Sequence, residues 1–158
     1  MAVLGLMAAA SCTSKPPLAN TFSTPEELAR AVLEAIATRD RARLDALALN
    51  EEEFGNHVWP DLPAARPERN LPMPYVWGDL RQKSEQSLTR TLRAHAGKRY
   101  ELRAVTFGDV TPYAHFRVHR EAMFRVRDAA GSETAIRICG SMIEQGGGWK
   151  VFSYVVDD

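Results

Sequence analysis

Arg120 is the residue most out of keeping with its neighbours. The segment Tyr113–Arg127 alternates at a period of two, which puts Arg120 on the side of Phe116, Val118, Ala122 and Phe124. A guanidinium facing a core is costly unless it meets a carboxylate, carbonyls or a ligand anion. Arg120 therefore reads in one of three ways. It anchors an anionic or carbonyl-bearing ligand; it pairs with Asp79, Glu121 or a loop carbonyl; or a β-bulge turns it to solvent. His57, Trp59, Tyr75 and Trp77 are placed to rim a pocket mouth, since aromatic walls with few polar groups suit small ligands. The same rings would serve equally to fix a loop to the body by the area they bury. Asp79, His57 and His95 are candidates by type only for an acid or base in such a pocket. His95 lies on the apolar stripe of its helix and reads more simply as a satisfied histidine. Arg120, His57, Trp59, Tyr75, Trp77 and Asp79 are thus the candidate ligand-binding set, with no catalytic residue assigned.

Other chemistries find little support. His115, His119 and Glu121 share one strand face, but residues four apart on a strand are separated by roughly 13 Å. One ion cannot bridge the two histidines, and His119 with Glu121 is too small a set for zinc, so no metal site is expected. Gln145-Gly146-Gly147-Gly148 is followed by strand residues, which makes it a hairpin turn and not a phosphate cradle. No Ser-His-Asp or Cys-His arrangement has a local signature. Cys139 alternates with Arg137 and Ser141 and reads as a part-exposed, unpaired strand cysteine. No cofactor is implied. The 158 residues carry 20 basic and 20 acidic side chains, so no global field would recruit nucleic acid. At 45% apolar and 25% charged, the chain has the mix of one ordinary domain with a real core.

The N-terminus reads as an address. Residues Met1 to Ala10 are apolar or glycine throughout, too short to span a bilayer and suited to the core of a signal peptide. They lead into Ala9-Ala10-Ser11-Cys12, which resembles a bacterial lipobox. Ala9 stands where lipoboxes usually carry a large aliphatic residue. No Lys or Arg precedes the apolar run, which fits a true start upstream of Met1. The resemblance implies diacylglycerol on Cys12, cleavage before it, and acylation of the new N-terminus. Thr13 in place of Asp favours the outer membrane. The expected division is a signal peptide over 1–11, a lipidated cysteine and flexible tether over 12–22, and a folded domain over 23–158.

The elements that must position the candidate residues follow in order. Thr24-Pro25-Glu26-Glu27 starts a helix, with Thr24 as cap, Pro25 in the first turn and Glu27 closing a capping box. Leu28, Ala31, Val32, Ala35 and Ile36 form its apolar stripe. Asp40 caps a second helix that turns Leu44, Leu47 and Ala48 inward. Glu51 to Tyr75 holds five of the nine prolines together with Phe54, His57, Trp59 and Tyr75. It reads as an ordered irregular loop with a short helix at Glu51–Val58, packed over the mouth of the fold. Helical spacing returns over Trp77–His95 and stops at Gly97. From Arg99 the period is two: a strand to Phe107, the long strand Tyr113–Arg127, and a hairpin of Glu133–Asp158 turning at Gly146–Gly148.

Helix, helix, capping loop, helix, then a four-stranded antiparallel meander resembles the NTF2-like superfamily (SnoaL-like, ketosteroid-isomerase-like). Three stretches carry the likeness: Thr24-Pro25-Glu26-Glu27-Leu28, Ala37-Thr38-Arg39-Asp40, and Ile143-Glu144-Gln145-Gly146-Gly147-Gly148-Trp149-Lys150-Val151. Val58-Trp59-Pro60 and Tyr75-Val76-Trp77-Gly78-Asp79-Leu80 look like marks of a lipoprotein subgroup. The resemblance implies an α+β cone, about three N-terminal helices on a curved four-stranded sheet, one face lining the cone and the other open. Three functions are compatible with it. The first is a membrane-tethered periplasmic domain that binds a small molecule or protein partner without catalysis. The second is an isomerase-, cyclase- or dehydratase-type enzyme using the cone. The third is a scaffold that forms a homodimer through the open face of Tyr113–Arg127.

Overall fold

A computed structural model describes residues 15–156. The predicted signal peptide, Cys12 and the first tether residues, together with Asp157 and Asp158, lie outside the described residues. Helix α1 (Pro25–Thr38) begins where Thr24 Oγ1 accepts the Glu27 N–H at 3.1 Å. The Glu27 carboxylate does not return to Thr24 as a capping box requires; it accepts the N–H of Ser23 instead. The helix buries Leu28, Val32, Ala35 and Ile36 and ends at Arg39 in the left-handed region. Asp40 then caps α2 (Arg41–Leu47) through the Arg43 N–H.

The proline-rich segment is a chain of short turns. A single helical turn, α3 (Glu51–Glu53), opens it under a true capping box between Asn50 and Glu53. A π-helical turn over Phe54–Val58 and three 3₁₀ turns ending at Arg69 follow. Helix α4 (Met73–His95) starts four residues before Trp77 because Pro74 fits its first turn.

Seven strands follow: β1 (Glu101–Thr106), β2 (Asp109–Pro112), β3 (Arg117–Arg120), β4 (Met123–Arg127), β5 (Glu133–Ile136), β6 (Ser141–Gln145) and β7 (Gly148–Ser153). The architecture is α+β with two open antiparallel sheets, ordered β1-β4-β5 and β2-β3-β6-β7. Two of the strands read from the sequence, Tyr113–Arg127 and the first of the C-terminal hairpin, are interrupted where one sheet gives way to the other, and β2 lies beyond the strand end expected at Phe107. Phe107–Gly108 separates β1 from β2, Glu121–Ala122 separates β3 from β4, and 137–140 separates β5 from β6. Glu121 at φ 52° is the visible cause in the middle strand, since a left-handed residue ends a pleated ladder. The β6–β7 hairpin closes with Gln145 opposite Gly148, and Gly146 and Gly147 (φ 57° and 79°) take the turn.

Two cores result, one on each side of the four-stranded sheet. The ladder sets Val118 opposite Ile143 and His119 opposite Met142, so neighbouring rows point to opposite faces. Met142 and Val151 join α1, α2, Leu88, Phe124 and Val126 in the larger core. Val118 and Ile143 join Leu18, Leu49, Phe54, Val58 and Phe116 in the second. The proline-rich segment therefore covers a sheet face and completes a core.

The expected open sheet face is open only in part. Arg117 and Arg125 are exposed, but His119 is covered by Phe107 and Trp149, at ring distances of 5.0 and 4.4 Å.

From Lys15 the segment read as a tether lies fixed on the body. Lys15 Nζ donates to the Asn56 carbonyl, Leu18 is buried in the second core, and Phe22 bridges Trp149. Its deepest attachment is an ion pair. Lys150 Nζ, 1% exposed as a residue, donates to both Glu53 oxygens and to the Ala19 carbonyl, each at 2.8 Å. Glu53 in turn accepts the N–H groups of Ala19 and Asn50.

Candidate ligand-binding cleft

Arg120 ends β3, paired with Asp109 on one side and Ser141 on the other. Ser141 in turn faces Ser153 of β7, and their hydroxyls are 3.5 Å apart. The polar row Arg120–Ser141–Ser153 thus crosses the sheet at the level where the long strands break. Two residues back along β3, buried Val118 faces Ile143. The alternation that would have carried Arg120 to the side of Ala122 and Phe124 fails at Glu121, and Arg120 is exposed. Of the three sequence readings, the structure is nearest the third, in which the guanidinium turns to solvent. The β3 ladder itself has no register shift, however; the irregularity that frees the guanidinium is the left-handed Glu121 that follows Arg120.

It is freed into a concavity. A cleft of about 360 Å³ opens beside the row, and Arg137, half-buried in the break between β5 and β6, lines it as well. The far wall is Val155 and Val156. Their path is fixed at two points, where the Tyr154 and Val156 N–H groups donate to Ser84 and Ser87 Oγ of α4 at 2.9 and 3.1 Å. It also requires glycine at 140: a Cβ there would sit 1.6 Å from the Val155 carbonyl oxygen. Tyr113, Val118 and Phe152 supply apolar surface. Among the described residues neither Arg120 nor Arg137 has a carboxylate within ion-pair distance. The one carboxylate in the lining, Glu121, is folded onto Gly108, where an added Cβ would lie 1.8 Å from its Oε2. Two cations and one anion leave the lining with a net positive charge.

The other residues of the sequence-derived set do not converge on this cleft. Trp59 and Trp77 flank Phe54 at ring distances of 6.4 and 5.3 Å and pack against the second core. Tyr75 is 69% exposed, and Asp79 is exposed and paired with Lys83 at 2.7 Å. His57 Nε2 meets the Pro16 carbonyl at 2.7 Å and belongs to a separate hollow with Lys15, Asp61 and His115. There Asp61 Oδ2 accepts both the backbone N–H and Nδ1–H of His115. His119 Nε2 is 2.9 Å from Glu144 Oε2, apart from His115. Among the described residues no three His, Cys, Asp or Glu side chains are grouped to hold a metal ion.

His95 shares a 2.8 Å hydrogen bond with the Tyr100 hydroxyl; burial, then Lys98 nearby, pushes its pKa down. Cys139 is fully buried, not part-exposed, because the chain leaves the strand there. Burial pushes its thiol up to about 12, which makes it unreactive.

Two features escaped the sequence reading. Arg137 gave no signal, because in an unbroken strand it falls on the polar side. The Lys150–Glu53 pair had half a signal: Asn50-Glu51-Glu52-Glu53 is a capping-box pattern, but nothing local marks Lys150 as buried. Compared with known proteins, the chain matches no family model, no curated protein and no solved structure.

Proposed function

We propose that this chain is a membrane-tethered envelope domain of NTF2-like type that binds a small molecule in the Arg120 cleft without transforming it. The observation that carries this reading is a pair of guanidiniums, Arg120 and Arg137, in one concavity of about 360 Å³ with no carboxylate partner among the described residues. Arginine forks are adapted to carboxylate and phosphate oxygens. Against catalysis stands the lining itself. It contains no His, Asp or Cys, and its single carboxylate, Glu121, lies against Gly108. The NTF2-like assignment is supported by the order of elements, three helices and an irregular cover before a meander. The tether rests on the lipobox-like Cys12, three residues before Lys15 is bound to the body.

A thermal-shift screen tests the binding. A ligand of the native state raises the melting point in proportion to the logarithm of its concentration over Kd. Anionic compounds are expected to raise it for the wild type and not for Arg120→Leu. Equal shifts in both proteins, or shifts from neutral compounds alone, would contradict the reading.

A further inference from the structure

We infer that the cleft selects an amphiphilic anion: one carboxylate or phosphate head on Arg120 and Arg137, and a short apolar body lying along Val118 and Phe152. The inference rests on the binding reading above and adds the class of ligand.

Its basis is the polarity gradient along β3. The head end is the row Arg120–Ser141–Ser153, fixed by strand register, with Arg137, in the break between β5 and β6, also in the lining. Two guanidiniums, with one hydroxyl of the mutually bonded Ser141–Ser153 pair, offer donors to an oxyanion, the arrangement that suits a carboxylate or phosphate better than a carbonyl. The body end lies two residues away along the strand, roughly 7 Å at 3.3–3.4 Å per residue. There Val118 is buried, Phe152 is half-buried, and Tyr113 stacks on Phe116 at 4.6 Å. Val155 and Val156 line the cleft as well, beside Gly140 and Ser153. Inorganic phosphate would leave Val118 and Phe152 wet, and a neutral alkane would leave both guanidiniums unmatched. Size sets a further limit. A cleft of about 360 Å³, at roughly 30 Å³ per water-sized group, holds about a dozen non-hydrogen atoms. That is a medium-chain fatty acid or a small aryl acid, not a phospholipid.

The test is calorimetric titration of the full chain with four probes: decanoate, decyl phosphate, decanol and inorganic phosphate. Decanoate, decyl phosphate or both are expected to bind at least tenfold more tightly than decanol and phosphate. The probe preferred identifies the head group. Arg120→Gln and Arg137→Gln should each weaken the preferred probe by roughly 10- to 100-fold, the usual worth of a hydrogen bond to a charged group. Weak decanol binding should be unchanged. Because Arg137 is half-buried, Arg137→Lys is measured beside it, and its loss should be smaller at an unchanged melting point.

Decanol binding as tightly as decanoate would overturn the inference, as would phosphate matching decyl phosphate or glutamine variants that bind like the wild type. If all four probes fail while the thermal-shift screen still finds an Arg120-dependent ligand, the class is wrong and the binding reading stands. If both fail, both fall.

Discussion

At the scale of single residues, the Lys150–Glu53 pair and the two cleft arginines are opposite solutions to placing charge in a protein. Lys150 is buried and fully bonded; Arg120 and Arg137 are open on one side and unmatched. Breaking a buried pair leaves an uncompensated charge and costs about 3–5 kcal/mol, which urea unfolding would register for Glu53→Leu. Lys150→Met should cost less, because Glu53 keeps the N–H groups of Ala19 and Asn50. The reverse order would contradict this account of the site. Acid should expose the same pair. Burial alone would raise the Glu53 pKa, but the hydrogen bonds from Lys150, Ala19 and Asn50 and the charge of Lys150 hold it below its ordinary 4.5. The unfolded chain then takes up the proton first. Stability from Glu53 is complete above that ordinary value and drains as pH falls below it through the lowered one. The difference in stability between wild type and Glu53→Gln should therefore shrink below pH 4.5, and a constant difference would count against it. Arg120 was legible from the sequence as an anomaly, because alternation fixes which way a strand residue points. Arg137 and Lys150 were not, because their roles depend on where the strand breaks and on what lies opposite in space.

At the scale of elements, what could be read locally was read well. Helix α1 follows from a cap, a proline and one apolar stripe, and the β6–β7 hairpin follows from its glycine turn. The breaks that divide the strands between two sheets have no such signature, since Glu121 at φ 52° is held there by its surroundings and not by its type. A non-glycine residue in that conformation costs roughly 1–2 kcal/mol, so Glu121→Gly should be neutral to stabilising by up to about 1 kcal/mol in denaturant melts. A clear loss would mean that the Glu121 side chain contributes more than the backbone strains. The C-terminal wall of the cleft hangs on Gly140 and on two serines of α4. Gly140→Ala drives a methyl group into the Val155 carbonyl and should cost about 1–3 kcal/mol, with loss of ligand binding. Ser84→Ala and Ser87→Ala each remove one acceptor, at about 1 kcal/mol apiece. They should speed hydrogen exchange at Tyr154 and Val156 before anything else. The proline-rich segment was readable as ordered from its aromatics. That it completes a second core was not, because its partners Val118 and Ile143 lie far along the chain.

At the scale of the whole molecule, residues 15–22 are held on the body by Asn56, Glu53, Lys150 and Trp149. If Cys12 carries the acyl anchor proposed here, only Thr13 and Ser14 separate it from Lys15, which is bonded to the body. The three steps from Cys12 to Lys15 reach at most about 11 Å, so the domain would ride close to the bilayer surface and not on a long leash. Cys12→Ser should abolish metabolic labelling with palmitate and move the protein from the membrane to the soluble fraction; unchanged fractionation would contradict the tether. The α+β class was legible because the hydrophobic period changes from helical to alternating at Arg99. The division into two sheets with a cleft at their junction was not, since it arises from breaks that coincide only in three dimensions. The central claim is that this cleft holds an anionic small molecule through Arg120. Native mass spectrometry of the full chain, purified gently from its own host beside Arg120→Leu, tests it most directly. The account predicts a co-purifying acidic mass on the wild type that is absent from an equally stable variant. A wild type that carries no such mass, or a variant that retains it, would contradict the claim.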